Sequence, residues 1–237
     1  MKQLELTPRL MTAAQLVPCG AAVADIGTDH AYLPVWLLKQ SKVRFAIAAD
    51  LREGPLDRAR LTAKEHNCRQ NIDFRLCDGL SAVSPDEVDC IVIAGMGGET
   101  IVHILQSAPW TRDPRYTLIL QPMSAQNDLR RWLWQQGFSV DEEQLVQEGD
   151  KLYCIIKASF GNATPMSLGE EWVGRQTPKL DQPLRSELFR RLLDKTTRAI
   201  EGISRGKDGA DHARLEELKQ LHTQLTQMKQ EWEQWHK

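Results

Sequence analysis

The sequence predicts an α/β fold. Five parallel strands with helices on both faces of the sheet are followed by an antiparallel hairpin and then by a helical hairpin. Three observations carry this. Short apolar runs alternate with helix-period segments through the first two thirds of the 237-residue chain. After Gly137 the rhythm changes to two strand-like runs around one short turn. Beyond residue 183 only helical spacing is left.

The apolar runs are "AAVADI" (21–26), "RFAIAAD" (44–50), "IDFRLCD" (72–78), "VDCIVIAG" (88–95) and "YTLILQP" (116–122). They are nearly continuous rather than alternating, as in strands covered on both faces. Between them, "YLPVWLLKQ" tolerates Pro34 in a first helical turn. "GPLDRARLTAKEH" sets Leu56, Ala59 and Ala63 on one helix face, and "ETIVHILQSA" does the same with Ile101, Ile104 and Leu105. "SAQNDLRRWLWQQG" offers Ser124 as an N-cap and Gly137 just past its end. "FSVDEEQLVQEGDKLYCIIKASF" reads as two strands joined at "EGDK", and strands joined so tightly pair antiparallel.

Residues 161–183 are rich in Gly, Pro and polar side chains and read as an irregular connection with a short helix. The expected domains are therefore 1–162 and 163–237. In the second, Leu218, Leu221, Leu225, Met228, Trp232 and Trp235 form an a/d seam. Its partner is a helix over 184–203 carrying Leu188, Leu192, Ala199 and Ile203, with "SRGKDGAD" as the turn between them. A monomer whose hairpin closes on itself is the expected state, and a coiled-coil dimer is the alternative.

Composition narrows the function classes. With 41% hydrophobic and 26% charged residues the chain is ordinary for a globular protein. No apolar run approaches a membrane span, and the N-terminal segment, with Glu5 inside it, does not read as a secretory signal. The five cysteines contain no CxxC pair, which argues against disulfides and a metal site and for the cytoplasm. The net charge of −2 gives no overall pull toward nucleic acid, so RNA binding requires a local basic patch.

The ligand is read from the strand ends. In an open α/β sheet, ligands bind at the carboxyl edge where strand order reverses. The first turn, "VADIGTDHAYLP", has Asp25, Asp29 and only Gly27. A dinucleotide needs a glycine-rich nest for its pyrophosphate, which two carboxylates would repel. These acids suit a cationic, phosphate-free ligand, and S-adenosylmethionine fits. Asp50, at the end of the second strand, can accept both ribose hydroxyls. Asp78 can accept from the adenine amino group, with Gly79 keeping the rim open. In "AGMGGET", Gly95, Gly97 and Gly98 allow close approach beside the transferable methyl.

"ADIGTDHAYLP", "DGL", "IAGMGGETI", "LQPMSAQNDLRRWLWQQGF" and "LVQEGDKLYCIIKA" resemble the bacterial tRNA (adenine-22-N1)-methyltransferase family over residues 7 to about 160. The resemblance implies a Rossmann-like seven-stranded class I methyltransferase sheet with a C-terminal α-helical coiled-coil hairpin. It implies methylation of N1 of adenosine 22 in tRNA, with S-adenosylmethionine as cofactor. Carried over by motif, Asp25, Gly27, His30, Asp50, Asp78, Gly79 and Gly95 line the cofactor site. Thr28 stands where serine is expected, and both are small hydroxyl residues. Arg9, in "LTPRL", matches a family arginine and is expected near the cofactor carboxylate or an RNA phosphate.

Within that reading Asp29 is the candidate carboxylate beside the purine, and His30 orients the base or Asp29. The backbone of residues 95–98 is the rival for the same task. Tyr32 either stacks on the target base or packs at a helix start. Between 184 and 207, seven basic residues (Arg185, Arg190, Arg191, Lys195, Arg198, Arg205, Lys207) face three acidic ones (Glu187, Asp194, Glu201), a local charge of +4. This stripe either follows a phosphate backbone or is a solvated face with i,i+4 pairs. The alternatives are a class I methyltransferase acting on another RNA, a protein or a small molecule, and a non-catalytic cofactor-binding protein of the same fold.

Overall fold

The computed structural model describes residues 4–205 and 212–236. The strands of the first unit, which ends at Pro165, are β1 (Ala21–Ile26), β2 (Val43–Asp50), β3 (Ile72–Leu76), β4 (Cys90–Met96), β5 (Thr117–Pro122), β6 (Phe138–Glu148) and β7 (Lys151–Phe160). They form one sheet in the order β3-β2-β1-β4-β5-β7-β6. The first five are parallel, and β7 runs antiparallel to both β5 and β6. This is the predicted seven-stranded class I methyltransferase sheet. Strand order reverses between β1 and β4, so the carboxyl ends of those two strands flank the crevice where a ligand binds.

Both faces are covered, which is why the central strands read as unbroken apolar runs. On one face α1 (Pro8–Leu16), α2 (Tyr32–Lys39) and α3 (Glu53–Glu65) pack on Val23, Ala46, Ala48 and Val92. On the other, α4 (Gly98–Gln106) and α5 (Gln126–Gln135) pack on Ala24, Ile47, Ile91 and Leu118. Leu56, Ala59 and Ala63 are fully buried, as their helical spacing requires.

Three differences from the sequence reading bear on the site. The first helix, α1, was not expected at all, although Pro8 after Thr7 is a helix-start signal. The third strand ends at Leu76, so Cys77 and Asp78 belong to the following turn. The N-cap of α5 is Ala125, at φ 52°, and not Ser124. Ser124 is otherwise engaged: its carbonyl accepts from the Gly98 amide at 2.9 Å. The "GMGG" and "QPMSA" turns are thus bound to each other. A Cβ at Gly98 would lie 2.4 Å from the Ala125 carbonyl oxygen, so this glycine serves the contact between turns rather than ligand approach.

The second unit begins at Met166 and contains α6 (Leu168–Val173), α7 (Arg185–Arg205) and α8 (His212–Trp235). The α7 and α8 helices pack along each other around Phe189, Leu221, Leu225 and Trp232, with α6 closing the end. Trp235 is exposed and leaves the expected seam. Of the expected turn, Ser204 and Arg205 are helical, and residues 206–211, including Lys207, lie outside the described residues. No helix among the described residues is long and apolar enough to cross a membrane.

Replacing Gly98 with alanine forces the methyl against a backbone oxygen that cannot swing away. We expect Gly98→Ala to lower unfolding stability by about 1–3 kcal/mol, the usual cost of overpacking. Urea denaturation of both proteins measures this.

Candidate active site

The first turn is fixed from two sides. The amides of Gly27 and Thr28 both donate to the Ala49 carbonyl, at 2.8 and 3.0 Å, which pins the turn to β2. Gly27 has φ 77°, and a Cβ there would lie 2.1 Å from Cε of Met96. The single glycine of this turn is therefore required by its own left-handed backbone, whereas the end of the flexible Met96 side chain could move aside. The chain then passes through Ala31, at φ 54°, into α2.

This turn closes over a buried acid. Asp25 is 7% exposed and forms no ion pair with any described residue. Loss of hydration pushes its carboxyl up from 3.8 to about 6, and the Asp50 carboxylate adds to the rise. The nearby Thr28 hydroxyl pulls the other way, yet it makes no hydrogen bond of ordinary geometry with a described residue. An unneutralised carboxylate and an unpartnered buried hydroxyl thus stand side by side at the end of β1. That donor set suits a ligand bringing a positive charge and a hydrogen-bonding group, and it disfavours a phosphate.

A cavity of about 270 Å³ opens above them and gathers seven of the predicted residues: Arg9, Asp25, Gly27, Thr28, Asp29, His30 and Tyr32. Asp78 and Gly79 line a separate cavity of about 220 Å³ with His103 and Ile104. Asp50 ends β2, 8% exposed, and accepts from the Arg52 amide at 2.8 Å. Gly95 is exposed at the tip of β4, where a Cβ would stand 3.4 Å from a guanidinium nitrogen of Arg9.

At the mouth of the larger cavity the rings of His30 and Tyr32 stack, 4.9 Å apart and 7° from parallel. Tyr32 is 42% exposed, so its outer face is open. His30 Nε2 lies 3.8 Å from Asp29, whose other oxygen accepts from the Arg58 guanidinium on α3. Arg58, with lesser help from His30 and Arg52, holds the Asp29 carboxyl below the usual carboxylate range. Asp29 is thus a permanent anion near neutral pH and not a proton donor.

Arg58 was missed in the sequence, because nothing in the spacing of α3 ties it to a residue 29 positions earlier. Gln121 was missed too, but a signal existed. It is a polar residue near the end of an apolar strand, fully buried, and its Oε1 accepts from Arg9 at 2.5 Å. That bond, with the Arg9 amide donating to Glu148 at 3.2 Å, fixes α1 over the site.

The expected basic stripe on α7 is altered. Arg185 does not belong to it: the side chain is 1% exposed and donates to the carbonyls of Gly174 and Arg175 and to Gln182. Arg190 pairs with Glu187 and Asp194, and Arg191 also pairs with Glu187. Lys195 lies over the Trp172 ring at 5.3 Å, and Arg198 is exposed. No cluster of metal-binding side chains is found among the described residues.

Sheet order, crevice and acid-tipped parallel strands together define a class I methyltransferase domain. Residues 6–156 match the family model described as a methyltransferase domain. The tRNA (adenine(22)-N(1))-methyltransferase of Bacillus subtilis is 36% identical over 162 residues, 68% of each chain. The crystal structure of the B. subtilis m1A22 tRNA methyltransferase TrmK superposes with a TM-score of 0.87 at 30% identity, covering 95% of this chain and 99% of that one. The Streptococcus pneumoniae protein Sp1610, in complex with S-adenosyl-L-methionine, gives 0.79 at 30% identity, covering 92% and 100%. The chain belongs to the tRNA (adenine(22)-N(1))-methyltransferase family.

Asp25 also sets a pH dependence. The folded chain holds its proton more tightly than the unfolded chain, so its contribution to stability is full below about pH 4 and is lost as pH rises through about 6. Asp25→Asn is expected to stabilise the ligand-free protein at pH 8 by up to about 3 kcal/mol and at pH 5 by about half as much. Urea melts at the two pH values test this.

Proposed function

We propose that this chain transfers the methyl group of S-adenosylmethionine to N1 of adenosine 22 in tRNA. The observation that carries the cofactor is Asp25, a buried carboxylate with no cationic partner among the described residues, next to the Thr28 hydroxyl, which has no hydrogen bond of ordinary geometry with any of them. S-adenosylmethionine supplies a methyl on a cationic sulfur, and its transfer to N1 leaves the positive charge on the adenine ring.

The chain's own groups divide the work. Asp25, Gly27 and Thr28 hold the amino-acid end of the cofactor, with Arg9 on its carboxylate side. Asp50 takes the ribose hydroxyls, and Asp78 and Gly79 take the adenine edge. N1 of adenine carries an in-plane lone pair and needs no base, so the residues mainly orient and exclude water. The open face of Tyr32, backed by His30, stacks on the target base once it leaves the tRNA stack. Asp29 is a fixed anion at the same rim, placed to stabilise a ring that gains positive charge. Arg190, Arg191, Lys195 and Arg198 contact the tRNA backbone, giving up part of their pairing with Glu187 and Asp194. We place this work in the cytoplasm and in a monomer, and the closure of α7 on α8 within one chain supports the monomer.

The test is incubation with methyl-labelled S-adenosylmethionine and unmodified tRNA, followed by nucleoside analysis. We expect 1-methyladenosine, and none from a transcript with guanosine at position 22. Absence of label from every tRNA would favour another substrate. By calorimetry Asp50→Ala is expected to weaken cofactor binding about tenfold or more, through loss of hydrogen bonds to a charged acceptor. Unchanged affinity would remove Asp50 from the site.

A further inference from the structure

Two arginines stand beside residues of the candidate site: Arg58 pairs with Asp29, which lines the cavity of about 270 Å³, and Arg52 approaches Asp50. Arg58 is 45% exposed and its partner Asp29 is 68% exposed. Arg52 is 78% exposed, with Nε 3.7 Å from Asp50. The third arginine of this region, Arg60, is held by both Glu53 and Asp57 at 2.6 and 2.9 Å. The obvious phosphate-binding stripe on α7 has lost Arg185 to the interior and is largely matched by its own acids. In a chain of net charge −2, cations next to the site residues Asp29 and Asp50 are where a phosphate gains most.

We propose that Arg52 and Arg58 bind the RNA phosphate beside the target adenosine, and that Arg58 exchanges Asp29 for that phosphate as the RNA docks. This rests on the tRNA methylation reading above. The exchange is favourable because the present pair is solvent-exposed and weak, whereas a guanidinium takes a phosphate through two parallel hydrogen bonds. It also answers a chemical problem. Paired with Arg58, Asp29 presents almost no net charge to the cavity. Once Arg58 has turned to the phosphate, the bare carboxylate stands one residue from the His30–Tyr32 stack, facing a ring that becomes cationic. Docking of the backbone thus switches on the electrostatic stabilisation of transfer. Arg58 acts as a positioning residue that couples binding to chemistry.

The test measures affinity for unmodified tRNA across 50–200 mM salt, alongside single-turnover methylation, using the full chain. Arg58→Ala is expected to weaken tRNA binding about tenfold and to reduce the slope of log affinity against log salt by about one, leaving cofactor affinity unchanged. Arg58→Lys is expected to recover the slope. Asp29→Asn frees Arg58 in advance, so it is expected to bind tRNA at least as tightly as the parent while transferring methyl about tenfold more slowly. An unchanged salt slope in Arg58→Ala overturns the proposal. So does Asp29→Asn weakening tRNA to the same degree as Arg58→Ala, the result a merely structural pair would give. A parent chain that binds tRNA but forms no 1-methyladenosine refutes the methylation reading instead, and the binding comparisons still decide the role of Arg58.

Discussion

The burial of one carboxylate organises this molecule. Asp25 sits at the end of the most deeply enclosed strand, desolvated and next to a second acid, Asp50. No described residue forms an ion pair with it. Above about pH 6 a sheet carrying such a group is less stable than one carrying an asparagine there, and protonation removes the difference. The features around it follow from this burial. The turn closes over it with a single glycine because a phosphate nest would be useless there. The helix α1 is drawn across by Arg9, which hydrogen-bonds Gln121 rather than Asp25.

Much of this was readable in the sequence. Strands covered on both faces leave unbroken apolar runs, so β1, β2, β4 and β5 were found within two residues of their ends. The acids at strand ends were legible because parallel strands put all their carboxyl ends on one edge, and every predicted cofactor residue except Arg9 lies at or just beyond that edge. Arg9 came from the family motif.

Side-chain partners were not legible. Arg58 meets Asp29 only because the second turn of α3 and the turn before α2 come together in space. Arg185 looked like any cation on an amphipathic helix, and no periodicity reveals that its neighbours would be carbonyls. Ser124 is a sound N-cap by type, but its backbone is committed to Gly98. In each case a contact between distant segments overrode a sound local preference.

The buried Arg185 has a consequence for the segment before it. Residues 174–184 have the composition of slack chain, yet one guanidinium ties the carbonyls of Gly174 and Arg175 and the side chain of Gln182 to the start of α7. The same guanidinium lies over the rings of Phe189 and Trp232. What looks like a tether is a folded part of the helical unit. An insertion or deletion within it would pull an arginine out of an aromatic core.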